Sequence, residues 1–338
     1  MRLLMLGGTG FVGRCVVEDA LARGWAVTLL HRGHRPAPAG AQVLVGDRTA
    51  ADGLAALRTG DWDLAVDTWA GAPSVVRDAA QLLRDRVGHY TYVSSRSVYA
   101  YPPPAGLDET GPLVDADADA DADDDVTYAR AKRGGELAAV AAFGDRTLLA
   151  RAGLILGPYE DVGRLPWWLH RVARGGDVPA PGPPDLPLQY VDARDLAAWL
   201  LDAAAAGVGG PVNVVSPRGH TTMGELLTHC VDVTGASTRL RWVDPAAVAA
   251  AGVAPWTELP IWLPPGELHD ALHHGDVSRA LATGLRCRPA AETVADTWAW
   301  LVGVDHRPAL RTDLPPLGLD AGQEAALLAA AGPDPSVS

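Results

Sequence analysis

Short, continuous apolar runs separated by polar or glycine-containing turns recur along the first third of the chain. The first run, residues 2–6, lacks alternating polar positions, which is typical of a strand buried on both faces. Similar runs follow at 25–30, 42–45, 64–67 and 90–93, and helical patterns lie between them at 11–24, 51–58 and 73–86. Because strands that alternate with helices at this spacing form right-handed βαβ units, the pattern predicts an α/β fold with a parallel sheet.

The first strand ends in a turn with three regularly spaced glycines, Gly7, Gly10 and Gly13. In a dinucleotide-binding fold the first permits the tight turn, the second lets the backbone approach the pyrophosphate, and the third lets helix and strand pack closely. The helix that follows would offer free N–H groups to the phosphates. Glycine triplets also occur in ordinary loops, but this one follows a strand and opens a helix, which is the context the motif requires. We therefore predict a Rossmann-type, doubly wound parallel sheet.

The composition changes after Gly157, where the chain becomes rich in Pro, Gly and Trp and indicates a second lobe; Trp167 and Trp168 are predicted to lie in loops there. Residues 190–206 are predicted to return to the sheet, followed by a strand at 212–215, and a helix is predicted at 223–234. The predicted organisation is a dinucleotide-binding domain of residues 1–158 and 188–216, a smaller C-terminal substrate-binding lobe of residues 159–187 and 217–312, and a tail of residues 313–338 with one short helix.

The net charge of −13 argues against a nucleic-acid partner, because such proteins need a basic surface. No apolar run approaches the roughly 18 residues that a membrane span requires, and no signal peptide precedes the first strand, so we expect a cytoplasmic protein without membrane association. The cysteines are isolated, without metal-ligand spacing, and are expected to pack as small apolar side chains.

Seven of the negative charges lie in one stretch of alternating Ala and Asp, residues 115–125. Such a low-complexity, self-repelling segment predicts a solvated, mobile loop. A calcium site is the alternative, but the stretch lacks the turn glycine and terminal glutamate of a calcium loop. We therefore predict no metal site.

The second strand leads into His31, Arg32 and Arg35, where a dinucleotide fold places the group that meets the adenosine ribose. An acidic residue there accepts hydrogen bonds from the ribose hydroxyls, whereas arginine accommodates a 2′-phosphate. No Asp or Glu occurs between Ala26 and Gly46. The sequence therefore favours NADP(H), with NAD(H) as the alternative cofactor; a solvated basic loop is the other interpretation of these arginines.

Two segments carry candidate chemistry. The fifth strand ends in Ser94 and Ser95, and Tyr128 and Lys132, four residues apart, share one face of a predicted helix. A lysine ammonium beside a phenol favours the phenolate and brings the pKa of the tyrosine down from about 10 toward neutrality. A serine hydroxyl from a strand end could complete an acid–base group around a carbonyl oxygen. Tyr-x-x-x-Lys alone is common and usually structural, but it is specific when joined to the glycine turn and the serine pair in this order.

With these motifs the chain resembles the extended short-chain dehydrogenase/reductase family, the NAD(P)-dependent epimerase/dehydratase group, from Met1 to about Leu301. The resemblance rests on residues 7–13, 46–47, 94–99, 128–132, 151–158 and 189–197. It implies that Ser95 holds the catalytic Ser/Thr position, that Tyr128 is the acid–base residue and that Lys132 binds the nicotinamide ribose. It also implies that Asp47 meets the adenine and that Trp69 and Ala70 line the cofactor channel. The full set of expected cofactor-binding residues is Gly7, Thr9, Gly10, Phe11, Val12, Gly13, His31, Arg32, Arg35, Asp47, Arg48, Trp69, Ala70 and Lys132.

Three departures from the family pattern narrow the expected function. His31 stands where NAD-using members have Asp, which favours NADP(H). Arg96 and Ser97 stand where the sugar dehydratases carry Asp-Glu, so dehydration is not expected. Residues 185–189 lack the arginine that nucleotide-sugar enzymes offer to the diphosphate, which speaks against that substrate class.

The predicted function is an NADP(H)-dependent oxidoreductase that interconverts a hydroxyl and a ketone on a small molecule. An epimerase that acts by transient oxidation on a sugar-like substrate is the nearest alternative, because it would use the same residues. A non-catalytic dinucleotide-binding protein is a third interpretation, although such proteins would be expected to lose the tyrosine–lysine pair. By analogy with the family, a homodimer is expected.

Overall fold

The computed structural model describes residues 1–121 and 126–331. The strands are β1 (Arg2–Leu6), β2 (Ala26–His31), β3 (Gln42–Val45), β4 (Trp62–Asp67), β5 (Val87–Ser95), β6 (Thr147–Ala152), β7 (Leu154–Leu156), β8 (Gly176–Pro181), β9 (Pro187–Leu188), β10 (Tyr190–Asp192), β11 (Gly210–Val214), β12 (Thr221–Thr222), β13 (Thr238–Val243), β14 (Pro255–Trp256) and β15 (Leu259–Pro260). The α-helices are α1 (Phe11–Ala22), α2 (Pro73–Leu83), α3 (Tyr128–Phe143), α4 (Arg164–Ala173), α5 (Ala193–Ala205), α6 (Met223–Thr234), α7 (Pro245–Ala250), α8 (Glu267–His273), α9 (Ser278–Ala282), α10 (Ala290–Gly303) and α11 (Ala321–Ala330).

Contacts divide the chain into two units. The first consists of Met1–Ile155, Ala193–Val215 and Asp276–Cys287; the second consists of Leu156–Asp192, Ser216–Gly275 and the residues from Arg288 onward. No helix in the described ranges combines the length and apolar character needed to cross a lipid bilayer.

The first unit contains a seven-stranded sheet in the order β11-β6-β5-β4-β1-β2-β3, and its strands pair in parallel. The chain first builds outward from β1 to β3 and then crosses back to β4 on the other side of β1. This reversal is the topological switch of a doubly wound sheet, where ligands bind outside the carboxyl ends of the strands. The predicted Rossmann-type fold is confirmed.

The core of the first unit forms because strand and helix each bury an apolar face. Leu4 and Leu6 of β1 are almost completely buried, and α2 covers the same cluster with Val76, Ala80 and Leu83. These helical positions are four and three residues apart, so they lie on one face. Full burial of a large aliphatic side chain contributes about 1.5–3 kcal/mol.

The bounds of several elements agree with those predicted from the sequence, whereas the predicted helix at 51–58 is wrong. β1 and β3 occupy the predicted residues, and α3 begins at Tyr128. Instead of a helix at 51–58, the chain forms turns and a three-residue 3-10 helix, Ala55–Leu57. The reason lies at Gly53, where an added Cβ would stand 1.6 Å from the carbonyl oxygen of Asp47. The backbone doubles back there too closely for a regular helix to start earlier.

In the second unit, Trp167 and Trp168 lie in α4 rather than in the predicted loops. The Trp168 indole is fully buried and donates its Nε1–H to the Pro260 carbonyl at 2.7 Å, so this ring is part of the core. The expected return of residues 190–206 to the main sheet is also wrong in part. β10 belongs to a separate two-stranded sheet, and β11 is the strand that joins the seven-stranded one.

The acidic segment 115–125 is described only as far as residue 121. Asp119 pairs with Arg77 at 2.7 Å, and the Ala120 carbonyl accepts from the Ser74 main-chain N–H at 3.1 Å. The first part of the segment is therefore held against the start of α2, while its described aspartates, at 115, 117, 119 and 121, are exposed, as expected of a solvated loop. The rest of that prediction concerns residues 122–125, which lie outside the described residues.

Candidate active site

The glycine turn after β1 leaves no room for side chains. Gly7 has φ +114°, and a Cβ built on it would stand 2.7 Å from Thr68 Oγ1, at the end of the neighbouring strand β4. A Cβ on Gly13 would stand 2.7 Å from the main-chain nitrogen of Gly8. Glycine at both places thus allows the turn to close and α1 to pack directly on it. This is the tight geometry that a dinucleotide fold needs at its switch point.

The N-terminus of α1 lies in the same turn. Gly10 is its N-cap residue, and no side chain caps the helix there. The first N–H groups of an α-helix have no partner within the helix, so they can bind phosphate oxygens. Thr9, Phe11 and Val12, which flank the cap, are partly exposed. The turn therefore fits a pyrophosphate.

His31, Arg32 and Arg35 follow at the end of β2. Both arginines are exposed, whereas His31 is partly buried and its Nε2 lacks a hydrogen-bond partner among the described residues. Burial, with a smaller contribution from His34, lowers the pKa of His31. An imidazole whose pKa is lowered and two exposed guanidinium groups therefore lie at the end of β2, where the sequence predicts the adenosine ribose.

Asp47 is exposed at the end of β3 and forms a local turn. The Thr49 main-chain N–H and hydroxyl donate to its Oδ1 at 3.0 and 2.8 Å and lower the pKa of Asp47, and the nearby charge of Arg32 adds to the effect. Two of the predicted cofactor residues, Asp47 and Arg32, are thus neighbours.

Arg48, also predicted to bind the cofactor, is instead committed to a buried ion pair. Its terminal nitrogens donate to the two carboxylate oxygens of Asp67 at 2.7 and 2.8 Å, and the Asp67 side chain is fully buried. Burial alone would raise the pKa of Asp67, but the Arg48 guanidinium and the Tyr90 hydroxyl outweigh it and lower the pKa. Arg48 therefore ties the loop after β3 to the end of β4.

Lys132 occupies the floor of the site. It is 3% exposed, and its Nζ donates to the main-chain carbonyl oxygens of Trp69 and Val93 at 2.6 and 2.7 Å. The ammonium also lies 4.9 Å from the centre of the Tyr92 ring, a cation–π distance. The positive charge is thus fixed where β4 and β5 end, beside two predicted channel residues, Trp69 and the exposed Ala70.

Tyr128 is the first residue of α3, one turn before Lys132. Its side chain is 51% exposed, in contrast to the buried lysine. Burial raises the pKa of Tyr92, and the charges of Asp67 and Tyr128 raise it further. Tyr128 is therefore close enough to act electrostatically on Tyr92, whose ring contacts the Lys132 ammonium. The helix therefore presents a phenol to solvent above a buried ammonium.

The two serines at the end of β5 have different surroundings. Ser94 is buried, and its hydroxyl donates to Glu136 Oε1 at 2.8 Å. Ser95 is partly exposed. Its Oγ accepts a hydrogen bond from the Ser97 main-chain N–H and donates one to the Ser97 hydroxyl, both at 3.1 Å. Ser95 is therefore the more accessible of the two serines.

A buried polar network supports this strand end from below. The Glu136 carboxylate accepts hydrogen bonds from Nε and Nη2 of Arg151 at 2.9 and 3.0 Å. Arg151 Nη1 donates to the Tyr99 hydroxyl at 3.1 Å, which in turn donates to Asn213 Oδ1 at 2.7 Å. Both charged side chains of this network have partners, so burying them is tolerated. The network holds the ends of β5 and β6 in place.

Sequence reasoning missed Asp67 and Glu136 as supporting residues. Asp67 ends an otherwise apolar strand run, where a buried carboxylate needs a cation. Glu136 follows Lys132 by one helical turn and so lies on the face that packs against the sheet. Both signals are present in the sequence, although their arginine partners, 19 and 15 residues away, could be identified only in the fold.

Sequence similarity to a curated protein covers about half of this chain. No protein-family model matches the chain. A curated relative, dTDP-glucose 4,6-dehydratase from Streptomyces niveus, is 28% identical over 228 residues. That match covers 54% of this chain and 62% of the relative, so the chain spans less than two thirds of the relative's length.

Solved structures share the fold over nearly their full length. The enzyme WbmH from Bordetella bronchiseptica, solved with NAD+, has a TM-score of 0.64 and 17% identity, over 89% of this chain and 98% of that one. UDP-N-acetylglucosamine 4-epimerase from Bacillus cereus has a TM-score of 0.63 and 16% identity, over 88% and 98%. UDP-glucose 4-epimerase from Thermus thermophilus, solved with NAD, has a TM-score of 0.59 and 20% identity, over 90% and 99%.

At these identities the structural likeness shows a shared fold, and the dehydratase adds a sequence similarity over about half of the chain. The chain is thus similar in fold to NAD-containing epimerase structures and in part of its sequence to a dTDP-glucose 4,6-dehydratase, which agrees with the resemblance to the extended short-chain dehydrogenase/reductase family.

Proposed function

We propose that this protein transfers hydride between a nicotinamide dinucleotide and a hydroxyl or ketone carbon of a small molecule. The observation that carries the proposal is the arrangement around α3. Lys132 is buried and held by two strand-end carbonyls, while Tyr128, one turn earlier, is exposed. A structural Tyr–Lys pair would have no need to keep the phenol in solvent and the ammonium beneath it.

Residues of the glycine turn would hold the cofactor. The uncapped start of α1 would bind the pyrophosphate, and the Cβ-free surface at Gly7 would let it approach the backbone. Lys132 would bind the nicotinamide ribose hydroxyls. When bound, the nicotinamide supplies or accepts the hydride.

The chain's own side chains would handle the proton and the oxygen. Tyr128 would donate its hydroxyl proton to the carbonyl oxygen during reduction and accept it during oxidation. Ser95 Oγ would hold the same oxygen by a hydrogen bond and so fix the position of the carbonyl carbon. Lys132 would stabilise the phenolate form of Tyr128 electrostatically.

For the adenosine end we propose a preference for NADP(H). Exposed Arg32 and Arg35 are available to a 2′-phosphate, and His31 stands in place of a carboxylate at the end of β2. The solved relatives named above with a bound cofactor contain NAD or NAD+, so NAD(H) is the alternative.

An epimerase that oxidises and re-reduces its substrate is the second candidate function. Its support is that UDP-sugar 4-epimerases are among the proteins with this fold. Dehydration, the activity of the Streptomyces relative, has less support. Arg96 and Ser97 replace the family's Asp-Glu, and Arg96 is only 7% exposed, with burial lowering its pKa.

Cofactor stoichiometry separates these functions. Purified protein would be incubated with NADPH or NADH and a panel of ketones, and separately with UDP- and dTDP-hexoses. An oxidoreductase consumes one cofactor per product, whereas an epimerase converts substrate without net cofactor loss. Binding of both cofactors without turnover of any substrate would favour a non-catalytic dinucleotide-binding protein. Failure to bind either cofactor would contradict the proposal. The homodimer and the cytoplasmic location stay predictions.

A further inference from the structure

Three potential metal ligands converge in the second unit, at the end of α8. We call His269, Asp270 and His274 the α8 cluster. Asp270 Oδ1 lies 3.1 Å from His269 Nδ1 and 3.4 Å from His274 Nδ1, and one ligand atom from each residue lies within 4.8 Å of the others. The sequence analysis predicted no metal site and did not consider these residues.

The hydrogen bonds of His269 require a positive species beside it. Its Nε2 lies 2.9 Å from the Pro187 carbonyl oxygen, which can only accept, so Nε2 must carry a hydrogen. A neutral imidazole then has a lone pair on Nδ1, and this atom faces a carboxylate oxygen of Asp270. Two acceptors face each other across that gap unless a second proton or a metal ion lies there.

A metal ion fits the two separations that involve Asp270, while the two histidine nitrogens, within 4.8 Å of each other, would move closer on binding. Tetrahedral Zn²⁺ with ligand bonds of about 2.0–2.1 Å holds its ligand atoms about 3.3 Å apart, close to the two observed separations. Ligating histidines characteristically donate their other N–H to a backbone carbonyl, as His269 does to Pro187. The Asp270 side chain is 44% exposed, which leaves a fourth position open to water.

Neighbouring residues fix this end of the helix. His273 is not a ligand through Nδ1, because that atom accepts the Gln189 main-chain N–H at 3.0 Å. The Gln189 side chain in turn holds Gly275, which donates to its Oε1 at 2.8 Å. Arg218 acts electrostatically on both Asp270 and His274 and would oppose a bound cation.

We propose that the α8 cluster binds one Zn²⁺ ion through His269 Nδ1, Asp270 and His274 Nδ1, with water in the fourth position. The nitrogen–oxygen donor set suits zinc among the biological divalent metals, whereas Ca²⁺ and Mg²⁺ prefer oxygen ligands throughout.

The test uses the full chain, stripped with a chelator and titrated with ZnCl₂ by calorimetry. One equivalent should bind, and the melting temperature should rise with zinc concentration. Co²⁺ should give visible bands of a four-coordinate site without the charge-transfer absorption of a thiolate. A thiolate band would place the ion at a cysteine and overturn the proposal.

Variants locate the ion. Asp270→Asn and His274→Gln should each weaken Zn²⁺ binding at least as much as the roughly 10- to 100-fold loss seen when a supporting residue is removed from a metal site. Arg218→Gln should tighten binding. The matched control is His229→Gln in α6, which should bind as the wild type does. Circular dichroism would confirm that each variant is folded. Wild-type affinity in both Asp270→Asn and His274→Gln, or no binding to the wild type, would show that His269 and Asp270 form only an ion pair.

Discussion

The Lys132 ammonium donates to the main-chain carbonyl oxygen of Trp69 at 2.6 Å, which joins helix α3 to the loop after β4. A second bond to the Val93 carbonyl at 2.7 Å adds the end of β5. One side chain therefore links the helix that carries Tyr128 to two strand ends of the Rossmann sheet. Because the bonds go to main-chain atoms, the position of the charge does not depend on neighbouring side-chain identity.

Replacing Lys132 by methionine should impair both cofactor binding and turnover. A charge-assisted hydrogen bond contributes about 1.5–3 kcal/mol, so the NADPH dissociation constant should rise roughly 10- to 100-fold, with a further loss in kcat. Fluorescence titration and steady-state rates would measure the two effects. Arg130→Met, on the exposed part of the same helix, is the control and should change neither. Unchanged cofactor affinity in Lys132→Met would contradict the assigned role.

Replacing Arg32 by alanine should remove most of a preference for NADPH over NADH. We expect the wild type to bind NADPH about tenfold more tightly, equivalent to ~1.4 kcal/mol, because a guanidinium can pair with the 2′-phosphate. Competition titrations with both cofactors would give the ratio. Equal dissociation constants in the wild-type protein would refute this prediction, and with it the proposed cofactor choice.

The adjacent serines should respond to alanine in opposite ways. Ser95→Ala should lower kcat by about 10²–10³, the usual cost of losing one donor to a developing oxyanion, with little change in stability. Ser94→Ala should lower the free energy of unfolding by about 1–3 kcal/mol, because it removes a buried hydrogen bond to Glu136. Urea denaturation and turnover, measured on both variants, check the contrast. A Ser94→Ala enzyme slower than Ser95→Ala would reverse the assignment.

Glu160 should make the stability of the second unit depend on pH. Its carboxylate is fully buried at the start of α4, and burial raises its pKa to about 7 even though the main-chain N–H groups of Arg164 and Leu165 donate to it. The pKa of Glu160 in the folded protein is above its unfolded value of about 4.3. The contribution of Glu160 to the free energy of unfolding is therefore present in full below pH ~4 and is lost as pH rises through 7.

The matching substitution is Glu160→Gln, which cannot ionise. Relative to this variant, the free energy of unfolding of the wild type should fall by on the order of 3 kcal/mol between pH 4.5 and 7.5, which follows from the size of the pKa shift. Urea denaturation at several pH values measures the difference. Glu292→Gln, at an exposed carboxylate of α10, should show no such trend. A constant difference between wild type and Glu160→Gln across this range would contradict the raised pKa.

The sheet and helix α3 could be predicted because local pattern determines them. β1 is a continuous apolar run followed by glycines. Thr127 precedes α3 and caps it, because its side chain accepts from Arg130 N at 3.5 Å. The spacing of Tyr128 and Lys132 within that helix then fixes their relation without any long-range information.

The sequence could not reveal features that contacts distant in sequence decide. One of them is the ion pair of Arg48, an expected cofactor residue, with Asp67, 19 residues later. Trp168 lies two residues after Pro166, and this proline obscured a helix that tertiary burial of the indole favours. Likewise, Glu136 is recognisable as a support for Ser94 only after β5 and α3 have packed together.

Replacing Tyr128 by phenylalanine tests the central claim most directly. The substitution removes only the hydroxyl, and the ring is at a half-exposed position, so the fold should be unchanged. Turnover of the substrate identified by the cofactor screen should fall by about 10²–10⁴, the usual cost of losing a positioned acid or base, while the NADPH dissociation constant stays within about twofold. Wild-type turnover in Tyr128→Phe would show that the Ser–Tyr–Lys group does not perform the proton transfer.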